Sequence, residues 1–580
     1  MSRDALPQRW RARANAHLPG LAQSATVVGD DGDLPHGGRS RRHGSPHPPM
    51  TITADQSEPG APALAAGRTP DPSTPEASAQ PPGPDAAMGT SPTHVLARNI
   101  SWLTVGQVTT WMMTLVWTVV VPRRLGSSEM GIFTLSMAVG GVLMVIISLG
   151  MEPLLVRRMA TDPEQAPRLI GTAIALRALL LVPALVVTVL LAWLGPFHGE
   201  EGAAVLLGWA ACVAPGVILG PVNSGFRAIE KMRYLTYSSV LSKALYTVSC
   251  IVMVVLGIRA IGILSAAVLT GFLVTALTLL WARPHFRIQW RVSRHDLTAL
   301  FVDSLPYWSF AAFFTIYLWI DSVMLAVMTS STVVGWYGLP TQLFGTLMSV
   351  PVILSTAWLT RLVQAHRGGT AGLLRTARPA IEMVVVISMP VCVGTVLVAS
   401  RLVQALYGSG FAQSAPVLIL LALCVPPMYL NVVACQLMVA QDKQMVWTKM
   451  MVLASLINPL LNLVLIRYFQ QTAGNGAIGA SIAMVITEVI LAGIGIWLIR
   501  NAFTRQMGVR MLRGAAATAG MAGLVVLALR AGLLPGIVTG VVSFPLLTLL
   551  FRVLSDDERV YLGALLRRTF GRGPAAEETG

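Results

Sequence analysis

From Arg98 onward the chain alternates between apolar runs and short polar connections. A helix needs about 20 consecutive apolar residues to cross the hydrocarbon core of a bilayer. The runs predict fourteen such helices, near 99–121, 131–150, 169–194, 203–222, 237–257, 260–282, 305–328, 333–360, 380–400, 414–440, 446–466, 477–499, 512–530 and 533–551. The expected fold class is an all-α polytopic membrane protein.

Landmarks recur along the spans at a slowly drifting offset. Gly131-Ile132-Phe133 matches Gly335-Trp336-Tyr337, and Arg157 matches Arg361, both 204 residues on. Ala228, Glu230, Lys231 and Thr236 match Ala440, Asp442, Lys443 and Thr448 at 212, and Ala260-Ile261-Gly262 matches Ala477-Ile478-Gly479 at 217. Ordered matches with a drifting offset are what a duplication leaves after small loop insertions. Six spans per copy is an even number, so both copies enter the membrane from the same side. The expectation is two parallel six-helix bundles, 95–301 and 302–501, with two further helices in 502–555. In parallel-repeat transporters the substrate path lies between the halves.

Composition agrees with the pattern. Of 580 residues 54% are hydrophobic and 12% charged, with mean hydropathy +0.65, against about 25% charged in a soluble domain. The net charge of +15 could suggest nucleic acid, but the basic residues sit in short loops between spans. Arg157/Arg158, Arg227/Lys231/Arg233, the Arg283–Arg294 run, Arg361–Arg378 and Arg500–Arg513 all fall in even-numbered connections. By the positive-inside rule these connections and both termini are cytoplasmic. The charge therefore reads as orientation, and no nucleic-acid partner is expected.

Residues 1–94 hold 15 of the 36 prolines and almost no aromatics, the composition of a disordered tail. Met50 and Met88 are alternative translation starts on this reading. A second tail is expected over 556–580. The five cysteines fall inside spans and suggest no disulfide framework, no histidine lies inside a span, and neither a metal site nor a cofactor is indicated.

Charged and polar residues within spans are the candidates for chemistry, because each costs at least about 2.5–3.5 kcal/mol in hydrocarbon. Glu488 lies about 16 Å along its helix, near the midplane. It is either an ion- or proton-responsive acid or a neutral, hydrogen-bonded structural one. Asp321 is either a cavity acid that pairs with a cation or a polar contact near the outer face. Arg177 and Lys243 lie at similar depths in the first bundle. Each can bind phosphate or snorkel to the interface. Asn458, Pro459 and Asn462 predict an interruption of the eleventh span, lining a cavity or making a static kink.

Several stretches together resemble the polysaccharide-biosynthesis flippases of the multidrug/oligosaccharidyl-lipid/polysaccharide exporter superfamily. They are Arg124-Leu125-Gly126 through Gly131-Ile132-Phe133, Leu155-Val156-Arg157-Arg158, Ile320–Leu325 with Val334–Tyr337, Leu406-Tyr407-Gly408 with Phe411, and Ile457–Asn462 followed by Gly476–Ala480. The resemblance covers about residues 95–500, and the fourteen-span length also resembles the lipid II flippase branch. It implies two bundles that rock to face either side of a bacterial cell membrane and move a prenyl-diphosphate-linked saccharide outward. Membrane lipids, and a proton or monovalent cation, would then be the other partners. On this reading Arg177 and Lys243 would bind the diphosphate, while Asp321 and Glu488 would respond to an ion.

Two other functions stay open at this point. A cation-coupled small-molecule exporter would share the architecture and favour an acidic cavity. A membrane glycosyltransferase or polymerase fits worse, because the outward connections are short and no G-x-x-x-x-G-K-[ST] phosphate loop is present.

Overall fold

A computed structural model describes residues 92–553 except 194, 196, 198 and 368. The expectations for the two tails and for the translation start lie outside the described residues. Sixteen helices follow one another: α1 (Pro92–Leu125), α2 (Ser127–Ser148), α3 (Glu152–Thr161), α4 (Ala166–Trp193), α5 (Glu200–Ala228), α6 (Met232–Val255), α7 (Ala260–Ala282), α8 (Arg294–Met328), α9 (Ser331–Arg367), α10 (Thr370–Tyr407), α11 (Ser414–Leu423), α12 (Val425–Ala440), α13 (Gln444–Ala473), α14 (Gly476–Leu498), α15 (Arg505–Leu529) and α16 (Leu533–Leu550). Among the described residues thirteen helices are long and apolar enough to cross a membrane, and the pair α11 and α12, bent by 41° at its junction, counts as a fourteenth if it is one span.

All backbone groups must find partners within a spanning segment, so helices are the only solution for these runs. Their outer faces are apolar: Leu179, Val182, Leu269, Leu534 and Leu550 are all exposed where lipid would cover them. Small and polar residues such as Ser136, Thr188, Ser224, Ser388 and Ser481 are instead fully buried, which lets helices approach closely. Several helices outrun the sequence-based spans. α8 begins at Arg294 rather than near 305, because Ser293 caps it by accepting from the His295 amide. α3 was not anticipated; its Leu154, Leu155 and Met159 pack inward.

One sequence expectation is corrected. α13 continues through Asn458, Pro459 and Asn462 as a single helix from Gln444 to Ala473, so these residues do not interrupt it. A proline removes one amide donor, and the helix carries that loss without ending.

The duplication is visible in the turns. Glu230 and Asp442, 212 residues apart, both adopt a left-handed φ of 57°. In each copy the following lysine amide bonds back five residues, Lys231 to Phe226 at 3.0 Å and Lys443 to Met438 at 2.8 Å. Helices α1–α7 form the first bundle and α8–α14 the second, with α15 and α16 packed on α10.

The two bundles meet along α2, which packs on α5 within its own bundle and on α8 and α9 across the divide. Near the starts of α2 and α9 the crossing is nearly symmetric. A Cβ on Gly131 would lie 1.6 Å from the Ser331 carbonyl oxygen, and one on Gly335 would lie 2.0 Å from that of Ser127. Ser127 and Ser331, like the glycines, are 204 residues apart. The repeated S-x-x-x-G thus lets two equivalent helix ends touch backbone to backbone.

Candidate functional site

Between the bundles lies a cavity of about 530 Å³. Its first-bundle wall comes from Trp117 on α1, Met130 to Gly141 on α2, Cys212 on α5, and Lys243 with Tyr246 on α6. The second bundle contributes Leu318, Trp319 and Ser322 from α8, and Tyr337, Gly338, Thr341 and Gln342 from α9. A glycine makes room for the aromatic wall: a Cβ on Gly141 would be 2.9 Å from the Trp319 ring. Trp117 is anchored between Phe133 at 5.5 Å and Tyr246 at 6.2 Å between ring centroids.

Lys243 is the cation on that wall. Its Nζ lies 5.8 Å from the Tyr246 ring centroid, within cation–π range. Among the described residues no carboxylate pairs with it, and none lines the cavity. The ammonium is half-buried, with the Tyr246 ring beside it and no carboxylate partner among the described residues.

Arg177 is placed differently. Its side chain is fully buried inside the first bundle, away from the cavity wall. It donates to the Gly216 carbonyl at 2.9 Å and to the Ser148 carbonyl at 3.4 Å. The Glu152 carboxylate is 3.8 Å away and also faces Arg227 at 3.5 Å. Gly220 leaves space for the guanidinium, since a Cβ there would lie 2.0 Å from Nη1. Arg177 therefore ties the end of α2 and the start of α3 to α5. It does not snorkel. The two cations at similar depth diverge.

Asp321 and Glu488 both lie in the core of the second bundle, behind the cavity wall. Asp321 accepts from the Tyr337 hydroxyl at 2.8 Å and from Asn462 Nδ2 at 2.6 Å, and Asn462 also donates to Asn458 Oδ1 at 2.9 Å. Residues that the sequence offered as separate candidates, Asp321, Asn458 and Asn462, thus form one network. Tyr337 links it to the cavity, because its side chain also lines the wall. Glu488 accepts from Tyr317 and from Asn431 Nδ2, the latter at 2.8 Å. Tyr317 stands one turn before Asp321 on α8, so a single helix carries contacts to both acids.

Sequence reasoning missed Tyr317, Tyr337 and Asn431, as well as the aromatic wall. A signal existed for Tyr317, a hydroxyl one helical turn from an acid on a membrane span. Nothing comparable pointed to Asn431, whose partner is 57 residues away.

Contacts between the bundles flank the cavity at both ends. At the end where α2 and α9 begin, Arg123 donates to the Leu406 carbonyl at 2.7 Å and to that of Ala405, and Ser128 Oγ lies 3.2 Å from Ser331 Oγ. At the opposite end, Arg158 pairs with Asp303 at 2.5 Å. Arg168 holds Asp296 with two nitrogens at 2.7–2.9 Å. These hydrogen bonds hold the Asp296 carboxyl below the usual carboxylate range.

Two bundles related by a parallel repeat, with a cavity between them, define a transporter fold. A solved lipid II flippase, MurJ in an inward closed conformation, has it with TM-score 0.62 at 12% identity, covering 78% of this chain and 99% of that one. An inward-facing multidrug resistance MATE family transporter of the MOP superfamily has it with TM-score 0.57 at 16% identity, covering 69% and 97%. Residues 96–366 match the family described as polysaccharide biosynthesis protein. A comparison with curated protein sequences gives no match.

Proposed function

We propose that the protein is a flippase that carries a prenyl-diphosphate-linked oligosaccharide or polysaccharide precursor from the cytoplasmic to the outer leaflet of a bacterial membrane, both its termini being cytoplasmic. The observation that carries this reading is Lys243, without a carboxylate partner among the described residues, on an aromatic wall between the bundles whose described lining residues include no acid. Such a wall suits an anionic head with sugar faces to stack. It does not suit a cationic drug, which would want a carboxylate in reach, and so the small-molecule exporter is the weaker reading. In this account Lys243 receives phosphate, while Arg177 braces the first bundle.

Energetics favour export. With the cell interior negative, each negative charge that leaves gains about 2.3 kcal/mol per 100 mV. The cargo then needs no opposing ion gradient. The acids Asp321 and Glu488 serve the return of the empty carrier, a proton or monovalent cation at either one standing in for the departed cargo's effect on the second bundle. Tyr337, touching both the cavity and Asp321, is the side chain through which the two sites sense each other.

The test is the accessibility of a fluorescent lipid-linked saccharide in inverted membrane vesicles with and without the protein. Protein-dependent movement of the probe away from the exposed leaflet supports the reading. Equal accessibility in both, alongside uptake of cationic dyes into the same inverted vesicles, would favour the drug exporter.

A further inference from the structure

We infer that Arg158 and Arg168 are the first groups to bind the cargo's diphosphate head, and that Asp303 and Asp296 compete with it for them. The inference deepens the flippase reading, on which it rests, by naming the site where the head group is loaded. Both ion pairs cross the divide in the same sense. The arginines come from the first bundle, Arg158 near the end of α3 and Arg168 in the first turn of α4, and both aspartates come from α8. Asp296 and Asp303 are two helical turns apart, so one face of α8 presents both carboxylates. Between the partners lies a cavity of about 190 Å³, lined by Arg158, Arg168 and Asp296 together with Leu169, Thr172 and Leu300.

The local structure holds the arginines in place for an anion. Asp162 fixes the turn between α3 and α4, accepting from the Glu164 amide at 3.2 Å and from Gln165 Nε2 at 2.7 Å. The linker between the bundles pins the start of α4. The Gln289 amide donates to the Pro167 carbonyl at 3.1 Å, and a Cβ on Gly171 would lie 1.9 Å from the Gln289 carbonyl oxygen. Arg168 turns Nε and Nη2 together to one carboxylate, at 2.7–2.9 Å. That fork fits two phosphate oxygens equally well. His295 Nδ1 also stands 3.8 Å from Asp296. The hold of the aspartates is weak, because the Arg158 and Arg168 side chains are 36% and 59% exposed. An exposed pair shifts an equilibrium by roughly 5-fold at most. A diphosphate brings charged oxygens to both arginines at once, which neither aspartate does.

These contacts lie at the end of the bundles that the basic loops assign to the cytoplasm, where the cargo starts its passage. With the bundles parted there, the two guanidiniums lose their carboxylates and face the entering head. Once the head has moved on to Lys243, the arginines take back the aspartates and the end closes behind it. Loading and closure are thus exclusive states of the same two side chains.

The experiment follows the association rate of a fluorescent short-chain prenyl-diphosphate saccharide with the purified full-length protein in nanodiscs of zwitterionic lipid. Two double variants, Asp296→Asn with Asp303→Asn and Arg158→Gln with Arg168→Gln, break the same two ion pairs. Were the arginines only a latch, both variants would load faster. As receptors of the diphosphate they make the variants diverge. The Asn pair should associate about 2- to 30-fold faster than wild type, the gain from removing two exposed ion pairs, and a misfolded protein cannot imitate it. The Gln pair should associate at least about tenfold more slowly, having lost charge-assisted contacts to the head. Equal acceleration in both variants, or unchanged rates in both, would overturn the inference and leave the flippase reading standing, since wild type still takes up the probe. No association with wild type would overturn both.

Discussion

Adding a methyl group at Gly131 should loosen the contact between the bundles at the end where α2 and α9 begin. The new Cβ would fall 1.6 Å from the Ser331 carbonyl oxygen and close to the Gly335 amide. These are backbone atoms of a helix and cannot rotate away, so α2 and α9 must separate locally. Overpacking of this kind costs about 1–3 kcal/mol, charged only against the arrangement in which the helices touch. That difference moves the balance between touching and parted states by roughly 5- to 150-fold. The assay uses the neighbouring hydroxyls, since Ser128 Oγ and Ser331 Oγ are 3.2 Å apart. Replaced together by cysteine, they should cross-link readily in otherwise wild-type protein and at a clearly reduced rate with Gly131→Ala. The repeat makes Gly335→Ala an internal control, because its Cβ meets the Ser127 carbonyl in the same way. Unchanged cross-linking in both variants would refute the claim that this crossing holds the bundles together.

Three further outcomes follow from the buried and surface polar contacts. Arg177→Met should lower the stability of the purified protein by about 1.5–3 kcal/mol, the worth of hydrogen bonds to a charged group. Arg177→Lys should not restore it, because a point charge cannot span the Gly216 and Ser148 carbonyls as a guanidinium does; full restoration by lysine in a thermal melt would contradict this. Glu488→Gln keeps acceptor and shape beside Tyr317 and Asn431, and should retain more flipping than Glu488→Lys, measured as substrate exposure on the outer face at matched protein abundance. Asp296 contributes stability that is present above its unfolded value, about 3.9, and is lost as pH falls through its depressed folded value. The melting-temperature gap between wild type and Asp296→Asn should therefore be the same at pH 7 and pH 5 and close below about pH 4; a gap already closing at pH 6 would point to another group.

The architecture was legible in the sequence because the membrane leaves few choices. An apolar run of sufficient length must be a helix, and ordered matches such as Gly131 with Gly335 and Glu230 with Asp442 betray the repeat. The site was only half legible. Depth along a span can be counted from the sequence, and it placed Arg177 and Lys243 together. Direction cannot be counted, because spans that are apolar on every face carry no amphipathic stripe to show which side meets a partner. Lys243 turns to the cavity and Arg177 to the carbonyls of its own bundle. The same limit hid the partners of the acids, since Tyr337 and Asn431 come to Asp321 and Glu488 only through packing. Pro459 misled for a related reason: a proline marks a missing donor, and the surrounding bundle decides whether the helix ends there.

In the proposed transport cycle Lys243, facing the space between the bundles, receives the phosphate of a lipid-linked saccharide during its passage across the membrane. The most direct measurement reconstitutes purified protein into liposomes and follows the transbilayer movement of a fluorescent prenyl-diphosphate saccharide. Wild type and Lys243→Gln are compared at equal protein content and equal thermal stability. Wild type should flip the probe and the variant should do so at least tenfold more slowly, the effect of about 1.4 kcal/mol at the phosphate. Equal rates in the two proteins would contradict it.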